Sequence, residues 1–223
     1  MLKSYIWDLD GTLLDSYGSI VSSLVTAALE CGVHDTYEDI MKTVKRSAVS
    51  TYLKELAARS GREYPSLYQR YREISHDKLN EITLMPGAAE TLDGLMKEGA
   101  QHFVYTHRGK STEPLLDRLG LTDYFTEIIT FEQGFKLKPS GEGVEYLVRK
   151  YGLEKTETAY VGDRSLDVGC AKDAGVLAIL YCPDDSCVIP TGAEDLVISR
   201  LEELVRKEDA VPGSCPCRNC IDL

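Results

Sequence analysis

Two carboxylates, Asp8 and Asp10, follow directly on the apolar and aromatic run Tyr5-Ile6-Trp7. Side chains alternate along a strand with period two, so residues spaced i, i+2 leave it on the same side. Gly11 then lets the backbone turn away, because it carries no Cβ. Carboxylates crowded at the end of a buried strand repel each other and resist desolvation unless a cation lies between them or they share a proton. That pairing suits part of a cation site or a proton-sharing pair. The ordinary alternative is an acidic turn, since Asp-Gly turns are common.

Three other places carry matching chemistry, each just past a strand or at a loop-to-helix junction. Thr106 ends an apolar stretch and is followed by His107 and Arg108. A hydroxyl there can donate to a phosphoryl oxygen, and the turn offers backbone N–H groups. His107 and Arg108 read equally well as further phosphate contacts or as a solvated turn. Lys136 and Lys138 flank Leu137, with Pro139 following; surface lysines before a helix are the ordinary reading of such a pattern. Gly162-Asp163 ends the run Thr158–Val161, and Asp167 follows about one helical turn later. An unpaired carboxylate at Asp163 would be costly in that setting.

The elements that must position these residues are legible in the hydrophobic period. After Asp15 the spacing turns helical: Ile20, Leu24, Ala28 and Cys31, then Ile40 and Val44, then Leu53, Leu56 and Ala57, then Leu67, Tyr71 and Ile74, with Leu79 and Ile82 continuing the last helix. No strand is expected between about Asp15 and Leu84. From Pro86 onward helices alternate with strands at Gln101–Thr106, Glu127–Phe131, Thr158–Val161 and Val176–Tyr181. An edge strand is expected at Leu196–Ile198 and a closing helix at Leu201–Val205. Thr112 and Ser140 are the expected helix N-caps. Such alternation implies an α/β fold, a Rossmann-like, mostly parallel sheet with helices on both faces. Sheets of this kind bind ligands at the carboxyl ends of their strands. The helical block is read as an inserted all-helical cap domain. The expected organisation is a core of residues 1–14 and 86–207, a cap of residues 15–85 hinged near Asp15-Ser16 and Met85-Pro86-Gly87, and a Cys-containing tail of residues 208–223.

The stretch Asp8-Leu9-Asp10-Gly11-Thr12 resembles the first motif, DxDGT, of the haloacid dehalogenase-like superfamily. Thr106, Lys138 and Gly162-Asp163-Arg164-Ser165-Leu166-Asp167 match its second, third and fourth motifs in order, over about Met1 to Lys207. The position of the insertion resembles the helical-cap branch that includes phosphoglycolate phosphatases and β-phosphoglucomutases. The resemblance implies phosphoryl transfer through Asp8, which becomes an aspartyl phosphate, with Asp10 as acid and then base. It implies Mg²⁺ held by Asp8, the Asp10 backbone carbonyl and Asp163, with Thr106 and Lys138 on the phosphoryl oxygens. Gly11, Thr12, His107 and Asp167 are supporting residues, Asp167 through a metal-bound water or the helix dipole. Thr12 after Gly11 favours a phosphatase, where the sugar mutases tend to carry an apolar β-branched residue. The expected substrate is a small phosphorylated metabolite, phosphoglycolate-like or a sugar phosphate. The alternatives are a phosphomutase, and a non-catalytic binding or regulatory protein that uses the tail. Lys42, Lys45, Arg46 and Tyr52 are candidates for inward cap residues without assigned roles.

The formal charge of −11, from 25 basic and 36 acidic residues, argues against nucleic acid as the main partner. It leaves room for a small anion, because a metal and local cations outweigh a global field at short range. No stretch is long and apolar enough to span a bilayer, and Met1-Leu2-Lys3-Ser4 runs straight into the first strand, so a cytoplasmic monomer or homodimer is expected. Cys31 and Cys170 are expected as small buried apolar residues. Cys215, Cys217 and Cys220, with Cys182 or Cys187, could hold zinc. Only one CxxC pair is present, Cys217 to Cys220, so adventitious thiols are the expected reading.

Overall fold

The computed structural model of the protein describes residues 2–183 and 190–205. Its centre is β1 (Ser4–Trp7), every residue of which is buried. A strand apolar on both faces requires cover on both, and helices supply it. On one face Tyr5 and Trp7 pack with Val104, Val161 and Ile179 against Leu92 and Leu95 of α5 (Ala88–Lys97) and Leu115 and Leu116 of α6 (Thr112–Arg118). On the other, Ile6, Phe103 and Tyr160 pack against Leu147 of α7 (Glu142–Tyr151) and Ala171 and Ala174 of α8 (Ser165–Ala174).

The remaining main strands are β4 (Gln101–Tyr105), β5 (Phe125–Ile129), β6 (Thr158–Gly162), β7 (Leu177–Tyr181) and β8 (Leu196–Ile198). Their order is β5-β4-β1-β6-β7-β8, and every pairing is parallel. The chain steps outward from β1 through β4 to β5, then crosses back to β6 and continues outward. That reversal opens a crevice at the carboxyl ends beside β1. The register pairs Trp7 with both Val104 and Val161. The residues just beyond these strands, Asp8, Thr106 and Asp163, therefore emerge along one edge.

Between β2 (Leu14–Asp15) and β3 (Thr83–Leu84) lie α1 (Tyr17–Leu29), α2 (Tyr37–Arg46), α3 (Val49–Ser60) and α4 (Tyr64–Asp77). These helices have their own apolar cluster, built on Leu24, Ile40, Leu53, Leu56 and Leu67. The expectation of no strand in this region is corrected at its two ends. Asp15 and Leu14 pair antiparallel with Thr83 and Leu84, and the Met85 N–H donates to the Leu13 carbonyl at 2.9 Å. Two-residue strands are too short to show a period, and their partner lies far along the chain. The fourth helix also stops earlier than its apolar spacing implied, at Asp77, before a 3₁₀ turn at Leu79–Glu81.

Three further expectations are corrected locally. Residues Leu201–Leu204 form a 3₁₀ turn in place of a closing α-helix. Ser111 and Gly141 occupy the N-cap positions expected for Thr112 and Ser140. Thr112 instead donates its hydroxyl to the Gly109 carbonyl at 2.8 Å, a local bond that competes with capping. Cys170 is buried as expected, whereas Cys31 is half-buried beyond the end of α1. Cys187, Cys215, Cys217 and Cys220 lie outside the described residues.

Candidate active site

Asp8 stands at the carboxyl end of β1, is 1 % exposed, and its N–H donates to the Val161 carbonyl at 2.9 Å. The chain then closes a tight turn in which the N–H groups of Thr12, Leu13 and Leu14 all donate to the Leu9 carbonyl. Gly11 adopts φ +83°, and a Cβ there would meet the Tyr17 ring at 2.3 Å and Asp163 Oδ2 at 2.5 Å. Only glycine lets this turn press against the end of β6.

Asp163 follows β6 and Asp167 lies in the first turn of α8, both buried. Asp8, Asp163 and Asp167 each offer an oxygen within 4.8 Å of the others. Sequence reasoning placed the Asp10 carbonyl with Asp8 and Asp163; the geometry adds the Asp167 carboxylate to that group. Burial pushes the Asp163 carboxyl up to about 7; the Arg164 guanidinium opposes this, and the nearby Asp167 and Asp8 charges add to it. Its Oδ2 accepts a bond from the Tyr17 hydroxyl at 2.8 Å, while its buried Oδ1 has no hydrogen-bond partner. An orphaned buried oxygen among three carboxylates suits a hard divalent cation such as Mg²⁺, which prefers oxygen ligands.

Lys138 reaches into this group with a fully buried side chain. Its Nζ donates to Asp167 Oδ1 at 2.6 Å and to the Tyr160 hydroxyl at 3.0 Å, and lies 3.0 Å from Asp8 Oδ1. Three protons thus meet three acceptors. Burial alone would lower the ammonium pKa, but Asp167 and Asp8 outweigh it and raise it. Lys136 faces elsewhere: its carbonyl accepts from the Tyr105 hydroxyl and its N–H donates to Glu142.

His107 braces the lysine. Its Nε2 accepts the Lys138 N–H at 2.8 Å, so the ring must be neutral at that nitrogen. Burial, helped by the Lys138 charge, lowers its pKa to about 3. Thr106 is buried beside it, with its Oγ1 accepting the Arg108 N–H at 3.1 Å. Thr12 is buried too, and its Oγ1 is without a partner.

Asp10 is the less enclosed of the two leading carboxylates, with about a fifth of its side chain exposed. Arg108 grips it: Nε lies 3.2 Å from both oxygens and Nη2 adds a further bond to Oδ1. Enclosure raises the Asp10 pKa, but Arg108 more than reverses this and holds the carboxyl below its ordinary range. Arg108 is therefore not part of a solvated turn: its side chain is 8 % exposed and paired with Asp10.

Sequence reasoning missed Tyr17, Tyr160 and Arg164. Arg164 lies with Nη2 3.4 Å from Asp8 Oδ2 and Nε 4.0 Å and 3.9 Å from Asp163 and Asp167. Its Nη1 also donates to the Ser47 carbonyl, between α2 and α3, at 3.4 Å. An arginine flanked by two aspartates just past a buried strand was the available signal for it. Tyr17 opens α1 three residues before Ile20, on the same apolar face, so its spacing marks a core residue and not a site residue. Of the proposed inward residues of α2 and α3, Lys45 lies 5.0 Å over the Tyr17 ring, whereas Tyr52 donates to Asp35 within the helical layer.

Residues 5–181 match the family described as haloacid dehalogenase-like hydrolase. The chain is similar to a phosphoglycolate phosphatase of Agrobacterium fabrum, at 33 % identity over 78 % of this chain and 78 % of that one. It is similar to the pyrophosphatase PpaX of Bacillus velezensis, at 30 % identity over 78 % of this chain and 80 % of that one. Among solved structures, a haloacid dehalogenase-like protein of Bacteroides fragilis superposes with a TM-score of 0.81 at 23 % identity, over 92 % of this chain and all of the other.

Proposed function

The chain belongs to the haloacid dehalogenase-like hydrolases, and we propose that it is a Mg²⁺-dependent phosphatase of a small phosphorylated metabolite. The observation that carries the reading is the meeting of Asp8, Asp163 and Asp167, with the buried Lys138 ammonium against Asp8 and Asp167 and with Asp10 two residues after Asp8, past the end of the same strand. Acidic groups brought together from distant segments have an evident use as cation ligands and as a nucleophile.

In this reading Asp8 attacks phosphorus, forming an acyl phosphate as the bond to the leaving oxygen breaks. Asp10, ionised while Arg108 holds it in the free protein, must take up a proton from solvent as substrate enters before it delivers one to that oxygen; it then removes one from the water that hydrolyses the intermediate. Thr106 and Lys138 hold phosphoryl oxygens and offset the charge that develops on them. Asp8, Asp163 and Asp167 would hold Mg²⁺, which when bound lowers the repulsion between the attacking carboxylate and the phosphate. His107 keeps the Lys138 backbone in place, and Tyr17 orients Asp163. The helices of residues 17–77 act as a cap over the strand ends, with Arg164 joining the two layers through Ser47.

The relatives named for phosphoglycolate and for pyrophosphate support a phosphate-ester or anhydride substrate. The test is release of inorganic phosphate from a panel of phosphate esters with and without Mg²⁺, with Asp8→Asn run beside the native protein. The reading requires release that depends on Mg²⁺ and on Asp8. Isomerisation of a sugar phosphate without release, or release undiminished in Asp8→Asn, would overturn it.

A further inference from the structure

The buried cations of the site divide into two groups. Lys138 and Arg164 face Asp8, Asp163 and Asp167, where the transferred phosphoryl group belongs. Arg108 forms no ion pair with these three. Its charge partner is Asp10, and its remaining side-chain contact is Nη1 to Ser111 Oγ at 3.3 Å. Its side chain is only 8 % exposed. The backbone of residue 108 is tied to Thr106 Oγ1, so the guanidinium starts from a fixed point.

A carboxylate that protonates the leaving oxygen must lie on the leaving-group side of phosphorus. A guanidinium that clasps this carboxylate therefore reaches the leaving group too. Its planar fork fits carboxylate and phosphate oxygens in pairs, and it remains charged at all working pH values. Holding so rigid a donor set on the one carboxylate meant to contact the leaving group makes chemical sense if the leaving group carries an anion of its own.

We propose that Arg108 is the anchor for a second oxyanion, carried by the substrate on the leaving-group side of the phosphoryl group. The assignment rests on Asp8 and Asp10 having the roles given above. The incoming anion takes over the guanidinium fork that Asp10 holds in the free protein. The preferred substrates are thus small phosphate compounds with an acidic group close to the scissile bond, and neutral alkyl phosphates are poor ones.

The experiment compares kcat/KM for matched pairs at fixed Mg²⁺: phosphoglycolate against ethyl phosphate, and pyrophosphate against methyl phosphate. It is run on the native protein, Arg108→Gln and Arg108→Lys, each checked for a native melting transition. The native protein should favour the acidic member of at least one pair, and the pair identifies carboxylate or phosphate as the second group. In Arg108→Gln that preference should fall roughly 10- to 100-fold, the worth of a charged hydrogen bond, mainly through KM. Arg108→Lys should keep part of it. An unchanged preference in Arg108→Gln would mean that Arg108 only neutralises Asp10, and a native protein indifferent to the second acid would equally overturn the assignment. A folded native protein that releases phosphate from neutral esters of the wider panel but from neither acidic compound would overturn this assignment and leave the phosphatase reading standing, whereas inactivity on the whole panel with Mg²⁺ would refute both.

Discussion

Replacing Lys138 with methionine keeps the length of the side chain and deletes its charge. In the native protein that ammonium is fully buried, donates to Asp167 and Tyr160, and lies 3.0 Å from Asp8. Removing one partner of a buried ion pair typically costs about 3–5 kcal/mol, because the surviving charge stays buried and uncompensated. Here two carboxylates are left, with Asp163 beside them, so the upper half of that range is expected. At a urea slope of roughly 2–3 kcal/mol per molar, the unfolding midpoint in chelator should fall by about 1.3–2.5 M. Mg²⁺ should restore part of the loss, because the same carboxylates are offered to it. Adding Asp167→Asn should restore another part by removing one of the stranded charges. Urea titrations followed by Trp7 fluorescence would measure all three. A Lys138→Met midpoint indistinguishable from the native one in chelator would refute the view that this lysine holds the carboxylates together.

Gly11→Ala should cut activity at least tenfold and lower the melting temperature by several degrees. The φ of +83° alone costs a non-glycine residue about 1–2 kcal/mol, and the new methyl meets Tyr17 and Asp163; native melting with native activity would contradict it. Tyr17→Phe removes the donor to Asp163 Oδ2 and should destabilise the chelated protein by about 1–3 kcal/mol, less with Mg²⁺ present; an equal loss in both conditions would show that the bond has no bearing on cation binding. His102 accepts from the Trp7 indole on Nδ1 at 3.1 Å and lies 3.2 Å from the Leu92 carbonyl through Nε2, so its ring is neutral. Burial lowers its pKa from 6.5 to about 4. A depressed histidine pKa gives stability that is complete above the unfolded value and is lost as pH falls from 6.5 toward 4, roughly 3 kcal/mol in all. His102→Asn should flatten that part of the stability–pH curve, and an unaltered slope would count against the neutral-ring account.

The pattern of the chain was most readable where it is repetitive. Strands buried on both faces, such as Ser4–Trp7 and Thr158–Gly162, announce themselves as apolar runs. The helices that precede Gly61, Gly152 and Gly175 stop where glycine takes a positive φ. The β2–β3 pairing left no trace, because a two-residue strand carries no period and its stability comes from a partner across the whole helical insertion. The same contrast holds for caps: Thr112 and Ser140 have the right chemistry for an N-cap, yet local turn geometry hands that position to their neighbours.

For the site, residue type together with the resemblance to four ordered motifs singled out Asp8, Asp10, Thr106, Lys138, Asp163 and Asp167 as candidates. Asp8 and Asp163 carry a charge just past a buried strand, an expensive place for an idle polar group. How these groups pair was decided only by folding. That Asp167 joins Asp8 and Asp163, that Arg108 claims Asp10, that His107 serves a backbone N–H, and that Tyr17 and Arg164 complete the ring all follow from distances between segments far apart in sequence. A side chain's type is written locally, but its electrostatic partner is whichever group the packed strands and helices bring within a few ångströms.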